Sequence, residues 1–264
     1  MKRMQQLVIC AMLSIAGLWM TAQSLAQSPF DGTWHTNLAQ TKFSPKPNVF
    51  YISQGWYHCV SCNPSFDVQA DGEDHPVSGQ TYDAISVKVV DPNTITVITK
   101  KAGKVTAEQT RTVSADGKTL TVKVTAHPMN SDQPITAETT AKRTGVPPAG
   151  VHATSGEWQI QKVNESENGV TTTYKTNGDE LTMTEPTGAS YTAKLDGNDY
   201  PYKGSYSYDT VSLKKIDAHT IEETYKRGGN VVEVSKMTVA GNKMTIVADN
   251  KVTGRTQTYV AEKK

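Results

Sequence analysis

The sequence has few cysteines, almost no net charge and, after its first residues, no long hydrophobic run. It holds three cysteines in 264 residues, and its formal net charge at pH 7 is +1. Such a balance supplies no long-range field that would attract a phosphate backbone or an anionic lipid surface. We therefore expect no nucleic-acid partner, and no membrane span beyond the N-terminal segment.

The residue patterns of several common enzyme classes are also missing. The chain has no Gly-x-Ser-x-Gly elbow, no His-Glu-x-x-His pair and no glycine-rich phosphate loop. Its six histidines fall mostly where turns and strand ends are expected. We expect no catalytic residue, no metal site and no cofactor.

The first 26 residues predict a secretory signal peptide. Lys2 and Arg3 precede an apolar run over residues 7–20, and small side chains close the segment up to Ala26. We favour this interpretation over a transmembrane anchor because the run falls short of the roughly 20 residues that span a bilayer. Cleavage before Gln27 would leave a periplasmic or secreted protein. Its net charge would be −1, because the removed segment holds Lys2 and Arg3 and no acidic residue.

Two cysteines remain after that cleavage, Cys59 and Cys62. In an exported protein an even pair is expected to form a disulfide. Two alternatives stay open at this point. The pair is a redox centre if one thiol has a lowered pKa, or it binds a metal together with His58 or His75.

The sequence repeats itself at an offset of 124 to 126 residues. A repeat this long exceeds the roughly 20–50 residues of solenoid repeats, so each copy is a candidate for a folded unit with its own core. We place the first unit at residues 27–144, a Pro- and Gly-containing linker at 145–153 and the second unit at 154–264. The matching positions are Trp34 and Trp158, Asp71–Pro76 and Asp196–Pro201, Tyr82 and Tyr208, and Leu120–Val122 and Met244–Ile246.

Apolar and polar residues alternate wherever the chain is regular. This period of two is typical of half-buried antiparallel strands, and Asp-Gly and Gly-Asn pairs mark tight turns between them. We expect an all-β protein of two tandem antiparallel meanders, as barrels, flattened barrels or sandwiches. Helix is confined to about one turn near Asn37–Ala39. The predicted core residues, each buried within its own unit, are Ile85, Val87, Val89, Leu120, Val122, Val124, Val211, Leu213, Met244, Ile246 and Ala248.

Tyrosines are concentrated in the second unit. A concavity lined by their rings and hydroxyls would bind an apolar or sugar-like ligand, whereas tyrosines on edge strands are the structural alternative. The ligand-binding candidates are Tyr200, Tyr202, Tyr206 and Tyr208.

Each unit opens with a Gly-x-Trp element, Gly32-Thr33-Trp34 and Gly156-Glu157-Trp158. These elements resemble the start of lipocalin-like (calycin) barrels. The resemblance implies small lipocalin-like barrels in which Trp34 and Trp158 have a structural role and close one end of the barrel.

A closer resemblance covers nearly the whole chain after residue 26. The segments around Phe30–Trp34, Lys42–Pro45, Cys59–Gly72 and Ser114–Val122 resemble a group of bacterial exported tandem-repeat β proteins. It implies export and fold but no substrate.

These observations lead us to expect an exported, non-catalytic binding module for a small apolar ligand or a protein partner. A first alternative is a structural or interaction protein of the cell envelope, in which duplication provides two contact surfaces. A second is a thiol-disulfide redox protein that uses Cys59 and Cys62.

Overall fold

A computed structural model of the protein describes residues 28–264, so the predicted signal peptide lies outside the described residues. The described chain is almost entirely β and forms two ten-stranded antiparallel sheets, each curled into a nearly closed barrel. The predicted all-β meander fold is confirmed. In the part of the chain from residue 28 onward, no helix has the length and apolar character needed to cross a membrane.

The strands are numbered in chain order. The first half contributes β1 (Gly32–Thr36), β2 (Asn48–Ser53), β3 (Trp56–Cys59), β4 (Phe66–Gln69), β5 (His75–Pro76), β6 (Ala84–Asp91), β7 (Thr94–Lys101), β8 (Lys104–Val113), β9 (Thr119–Ala126) and β10 (Ile135–Arg143). The second half contributes β11 (Gly156–Glu165), β12 (Thr171–Asn177), β13 (Glu180–Thr184), β14 (Ser190–Lys194), β15 (Asp196–Pro201), β16 (Thr210–Lys215), β17 (Thr220–Arg227), β18 (Asn230–Ala240), β19 (Lys243–Asn250) and β20 (Arg255–Lys263). Helical turns are limited to a 3-10 turn at Leu38–Gln40, next to the predicted position, and α1 (Glu167–Val170).

The two halves exchange their first strands. Sheet A has the order β14-β13-β12-β1-β20-β19-β18-β17-β16-β15, and sheet B has the order β4-β3-β2-β11-β10-β9-β8-β7-β6-β5. Strand β1 therefore completes the sheet of the second half, and β11 completes that of the first. Each sheet contains residues of both predicted units, so the expectation that each unit buries its own apolar side chains within itself is wrong for these two strands.

Each exchanged strand carries one of the two Gly-x-Trp elements into the core of the other half. Trp34 and Trp158 are both 1% exposed. The Trp34 indole N–H donates to the carbonyl of Phe30 at 2.8 Å, and that of Trp158 donates to the carbonyl of Thr154 at 2.9 Å. Because a buried indole N–H needs an acceptor, these bonds fix both rings in the same way.

The alternation of side chains explains which strand faces are buried. On β9, Leu120 is buried and Lys123 is exposed, as the period of two requires. The pattern fails at two positions of β6, where Val89 is 39% exposed and the polar Ser86 is buried. The strand register shifts after Val89, and the Ser86 hydroxyl donates to the carbonyl of Gly72 at 2.8 Å, under the preceding turn.

The repeated Asp-Gly motifs are turns, as expected. Gly72 and Gly197 have φ angles of 90° and 81°, which favour glycine. In each turn the aspartate carboxylate accepts a hydrogen bond from the backbone N–H two residues later, Asp71 from Glu73 and Asp196 from Asn198, both at 2.9 Å. The two halves thus share local geometry although their first strands are exchanged.

Candidate functional site

A cavity of about 500 Å³ lies inside sheet B and reaches hairpin turns of sheet A. Three hydrogen bonds to loops of the first half hold these turns in place. The Asn63 side chain donates to the carbonyl of Val252 at 2.5 Å, and the guanidinium of Arg227 donates to the carbonyl of Gly79 at 3.2 Å. The guanidinium of Arg255 donates to the carbonyl of Pro47 at 2.7 Å. The wall of the cavity therefore depends on both halves of the chain.

The inner wall of the cavity is mainly apolar and aromatic. Phe50 and Tyr57 lie with their ring centres 5.7 Å apart, and Trp158, delivered by the exchanged strand β11, completes the aromatic part. The aliphatic residues of the wall that come from sheet B include Ile85, Val97, Leu120, Val122, Ala141 and Ile160. Such a lining suits the apolar body of a small molecule.

The charged residues that line the cavity are all arginines. They are Arg111 from β8, Arg227 from the end of β17 and Arg255 from the start of β20. The lining includes no aspartate, glutamate or lysine. In the described part of the chain, no carboxylate comes within 4.0 Å of any of the three guanidinium groups.

Arg111 is the arginine that belongs to the interior of sheet B. Its guanidinium lies 4.9 Å from the ring centre of Phe50 and donates to the hydroxyl of Tyr57 at 3.1 Å. Two further N–H groups donate to the amide oxygen of Gln109, at 3.1 and 2.8 Å. These bonds use three of the five guanidinium N–H groups, and every partner is neutral.

Tyr82 also lines this cavity. Burial raises the pKa of its hydroxyl to about 12, with a smaller contribution from Tyr57, whereas Arg111 acts in the opposite direction. The hydroxyl is therefore neutral at physiological pH and is available as a hydrogen-bond donor.

The interior of sheet A is filled by side chains of the opposite character. Glu223 is 2% exposed and accepts hydrogen bonds from the hydroxyls of Tyr191 and Tyr225, the latter at 2.6 Å. Burial raises the pKa of this carboxyl to about 7, although both hydroxyl bonds act to lower it. Burial likewise raises the pKa of Glu185 and of Glu233. Sheet A thus holds acidic groups and tyrosines where sheet B holds an arginine.

The strand registers show which residue of sheet A is equivalent to Arg111. Val122 and Ile246 are equivalent in the sequence repeat, and they pair across the sheet with Arg111 and Met237. The residue in sheet A that corresponds to Arg111 is therefore Met237, which is 0% exposed.

A second difference between the two sheets lies in the preceding hairpins, β6–β7 of sheet B and β16–β17 of sheet A. Val87 pairs with Val97 in sheet B, and Leu213 pairs with Glu223 in sheet A. Glu223 of sheet A therefore occupies the position that Val97 has in the cavity wall of sheet B.

The four candidate tyrosines do not line a single concavity. The rings of Tyr202 and Tyr208 lie 5.7 Å apart in the interior of sheet A, and Tyr208 also reaches the cavity of sheet B. Tyr200 donates its hydroxyl to Asp196 at 2.9 Å beside the Asp-Gly turn. Tyr206 lines a different surface depression next to residues 127–132.

Cys59 and Cys62 form the predicted disulfide, with their Cα atoms 5.4 Å apart. Both residues line the cavity, and Cys59 is 7% exposed. A disulfide carries no thiolate, so in this state the pair has no metal-binding sulfur. Within residues 28–264 no group of three His, Cys, Asp or Glu side chains is placed to hold a metal ion.

A chain of hydrogen bonds joins Ser53, His58 and Asp67 on the outer face of β2, β3 and β4. The His58 ring lies 2.8 Å from the Asp67 carboxylate through Nδ1 and 3.4 Å from the Ser53 hydroxyl through Nε2. The order matches nucleophile, base and orienting acid. However, the Asp67 side chain is 63% exposed, and an activated serine depends on a site from which water is excluded. We assign no catalysis to this group.

Comparison of the chain with protein-family models, curated proteins and solved structures gives no match. The site therefore has to be interpreted from its own chemistry.

The sequence interpretation missed the arginines of the cavity. Arg111 lies on the inward-facing side of β8, at the same alternate positions as Gln109 and Val113. The sequence did contain a signal for this arginine. It is a charged residue at an inward-facing strand position, where the second copy has a methionine.

Proposed function

We propose that the protein is an exported, non-catalytic binding module that holds a small ligand, apolar over most of its surface, in the interior of sheet B. The observation that carries this proposal is the cavity of about 500 Å³ within sheet B. Its walls are aromatic and aliphatic, and its size lies within the range of roughly 300–1,000 Å³ typical of small-molecule sites.

The contrast between the two sheets supports this choice. In sheet A, the interior positions carry the large buried side chains of Met237, Met244, Leu181 and Tyr191. Sheet B keeps open space although its strand order and register are equivalent. A purely structural duplicated barrel would gain stability by filling that space, since empty apolar volume costs free energy.

The disulfide is consistent with export, because such bonds persist in oxidising compartments. It gives no support to the redox alternative, since Cys59 is buried and only the partly exposed Cys62 offers a sulfur for thiol exchange.

A fluorescence titration with the neutral apolar probe N-phenyl-1-naphthylamine tests the proposal. We expect the full chain to bind the probe and the Val122→Phe variant, which fills the cavity wall, to lose binding. Ile246→Phe is the matched control, because Ile246 is the repeat equivalent of Val122 and packs against the core of sheet A. Circular dichroism verifies that both variants fold.

Failure of the wild-type chain to bind the probe would contradict the proposal. So would equal loss of binding in the two folded variants. Native mass spectrometry of protein from its original host is a second test: a bound small molecule would support the proposal, and a mass without ligand would contradict it.

A further inference from the structure

We propose that the ligand of sheet B carries a carboxylate, and that Arg111 binds this group inside the cavity. The inference rests on the proposed function and specifies the chemistry of its ligand: an apolar acid rather than a neutral apolar molecule.

The cavity lining carries positive charge without negative charge. The cavity wall contains three guanidinium groups and no acidic side chain. A half-buried cation without an anionic partner loses hydration that neutral hydrogen bonds replace only in part. An anionic ligand supplies the missing partner.

The repeat shows that the fold does not need an arginine at this position. Met237 occupies the position of Arg111 in sheet A and is completely buried. The barrel therefore folds with an apolar residue at this place, and architecture does not require the arginine. The arginine in the sheet that has the cavity, and the methionine at the equivalent position in sheet A, associate Arg111 with what the cavity holds.

The cavity uses arginine rather than lysine, which favours a carboxylate. The chain has 22 lysines and five arginines, yet the cavity is lined by three arginines and no lysine. A guanidinium offers a planar fork that matches the two oxygens of a carboxylate, whereas an ammonium is a point charge. Arg111 retains two N–H groups beyond those used by Tyr57 and Gln109.

The surroundings favour a single negative charge deep in the cavity. Arg111 shares its place with the ring of Phe50 and the hydroxyls of Tyr57 and Tyr82, and Arg227 and Arg255 come from the turns of sheet A. A phosphate dianion at this depth would lose far more hydration than a carboxylate, with only one guanidinium inside sheet B to replace it. The two arginines of sheet A raise the local concentration of an approaching anion.

Isothermal titration calorimetry with three ten-carbon compounds tests this inference on the full chain. The compounds are decanoate, decanol and decyl phosphate, and the variants are Arg111→Met, which copies sheet A, and Arg111→Lys. We expect decanoate to bind best. We expect Arg111→Met to weaken decanoate roughly ten- to hundredfold while leaving decanol unchanged, since the loss is that of a charge-assisted hydrogen bond. Arg111→Lys should fall between, because it keeps the charge and loses the fork.

Three results would overturn the inference and leave the proposed function in place. They are binding of N-phenyl-1-naphthylamine without binding of decanoate, equal affinity for decanol and decanoate, and a clear preference for decyl phosphate. A wild-type chain that binds none of the four compounds would overturn both. If Arg111→Met does not fold, the comparison of Arg111→Lys with wild type decides on the same readout.

Discussion

The guanidinium of Arg143 lies 4.1 Å from the ring centre of Trp158, and the same position over Trp34 is taken by the ammonium of Lys263, at 4.9 Å. Arg143 is the last residue of β10, which pairs with β11, and Lys263 is the last residue of β20, which pairs with β1. Each exchanged tryptophan is therefore covered by a residue of the half that receives it.

We expect Arg143→Ala to be more destabilising than Lys263→Ala. Arg143 donates to the backbone carbonyls of Gly117, Ala153 and Ser155, whereas Lys263 donates to that of Pro29 alone. Loss of the arginine bonds and the stacked ring contact should cost about 2–4 kcal/mol of unfolding free energy, and loss of Lys263 about 1 kcal/mol. Urea unfolding of the two variants measures the difference, and equal losses would contradict this account.

Cutting the chain between the repeats should leave the halves together. Val146 is 97% exposed, so a protease site can be inserted beside it without disturbing a strand. Because β1 and β11 each complete the other half's sheet, we expect the cut protein to elute from a sizing column at the position of the uncut protein. Separation into two fragments in the absence of denaturant would show that the strands are not exchanged.

Replacing Glu223 with glutamine should change how stability depends on pH. The pKa of this carboxyl is raised from 4.5 to about 7 by burial, so between these values it is ionised only in the unfolded chain. Its contribution therefore falls as pH rises through that window and is lowest above pH 7, a loss of roughly 3 kcal/mol.

The measurement is the unfolding free energy of wild type and Glu223→Gln at several pH values from 4 to 8. The variant should gain stability relative to wild type as pH rises, because the buried glutamine has no carboxyl group to ionise in the unfolded chain. Glu222→Gln, a change at the partly exposed neighbour on the same strand, is the control and should follow wild type. Parallel curves for Glu223→Gln and wild type would refute the assignment.

The strands were predictable from sequence because their periodicity fixes which side chains face the core. Leu120 and Met244 are buried as their alternation requires. Val89 departs from the pattern: it pairs with the buried Ile95 but is 39% exposed, next to a register shift that no local residue pattern reveals.

The exchange of first strands was beyond prediction for a different reason. Strands β1 and β11 carry the same Gly-x-Trp pattern, so either fits either sheet, and periodicity cannot distinguish a partner nearby from one in the other half. The site, by contrast, was within reach. Arg111 interrupts the apolar face of its strand, and its alignment with Met237 marks it as a residue that the fold itself does not need.

Strand β1 pairs with β20, so Trp34 contacts Lys263, a residue very distant in the sequence. Sheet A consequently cannot be completed until β20 is available for pairing. Contacts this distant in sequence carry a large loop-closure cost and slow the search for the native state. The two sheets should therefore form late and together, and incomplete sheets are exposed to aggregation until β20 pairs with β1.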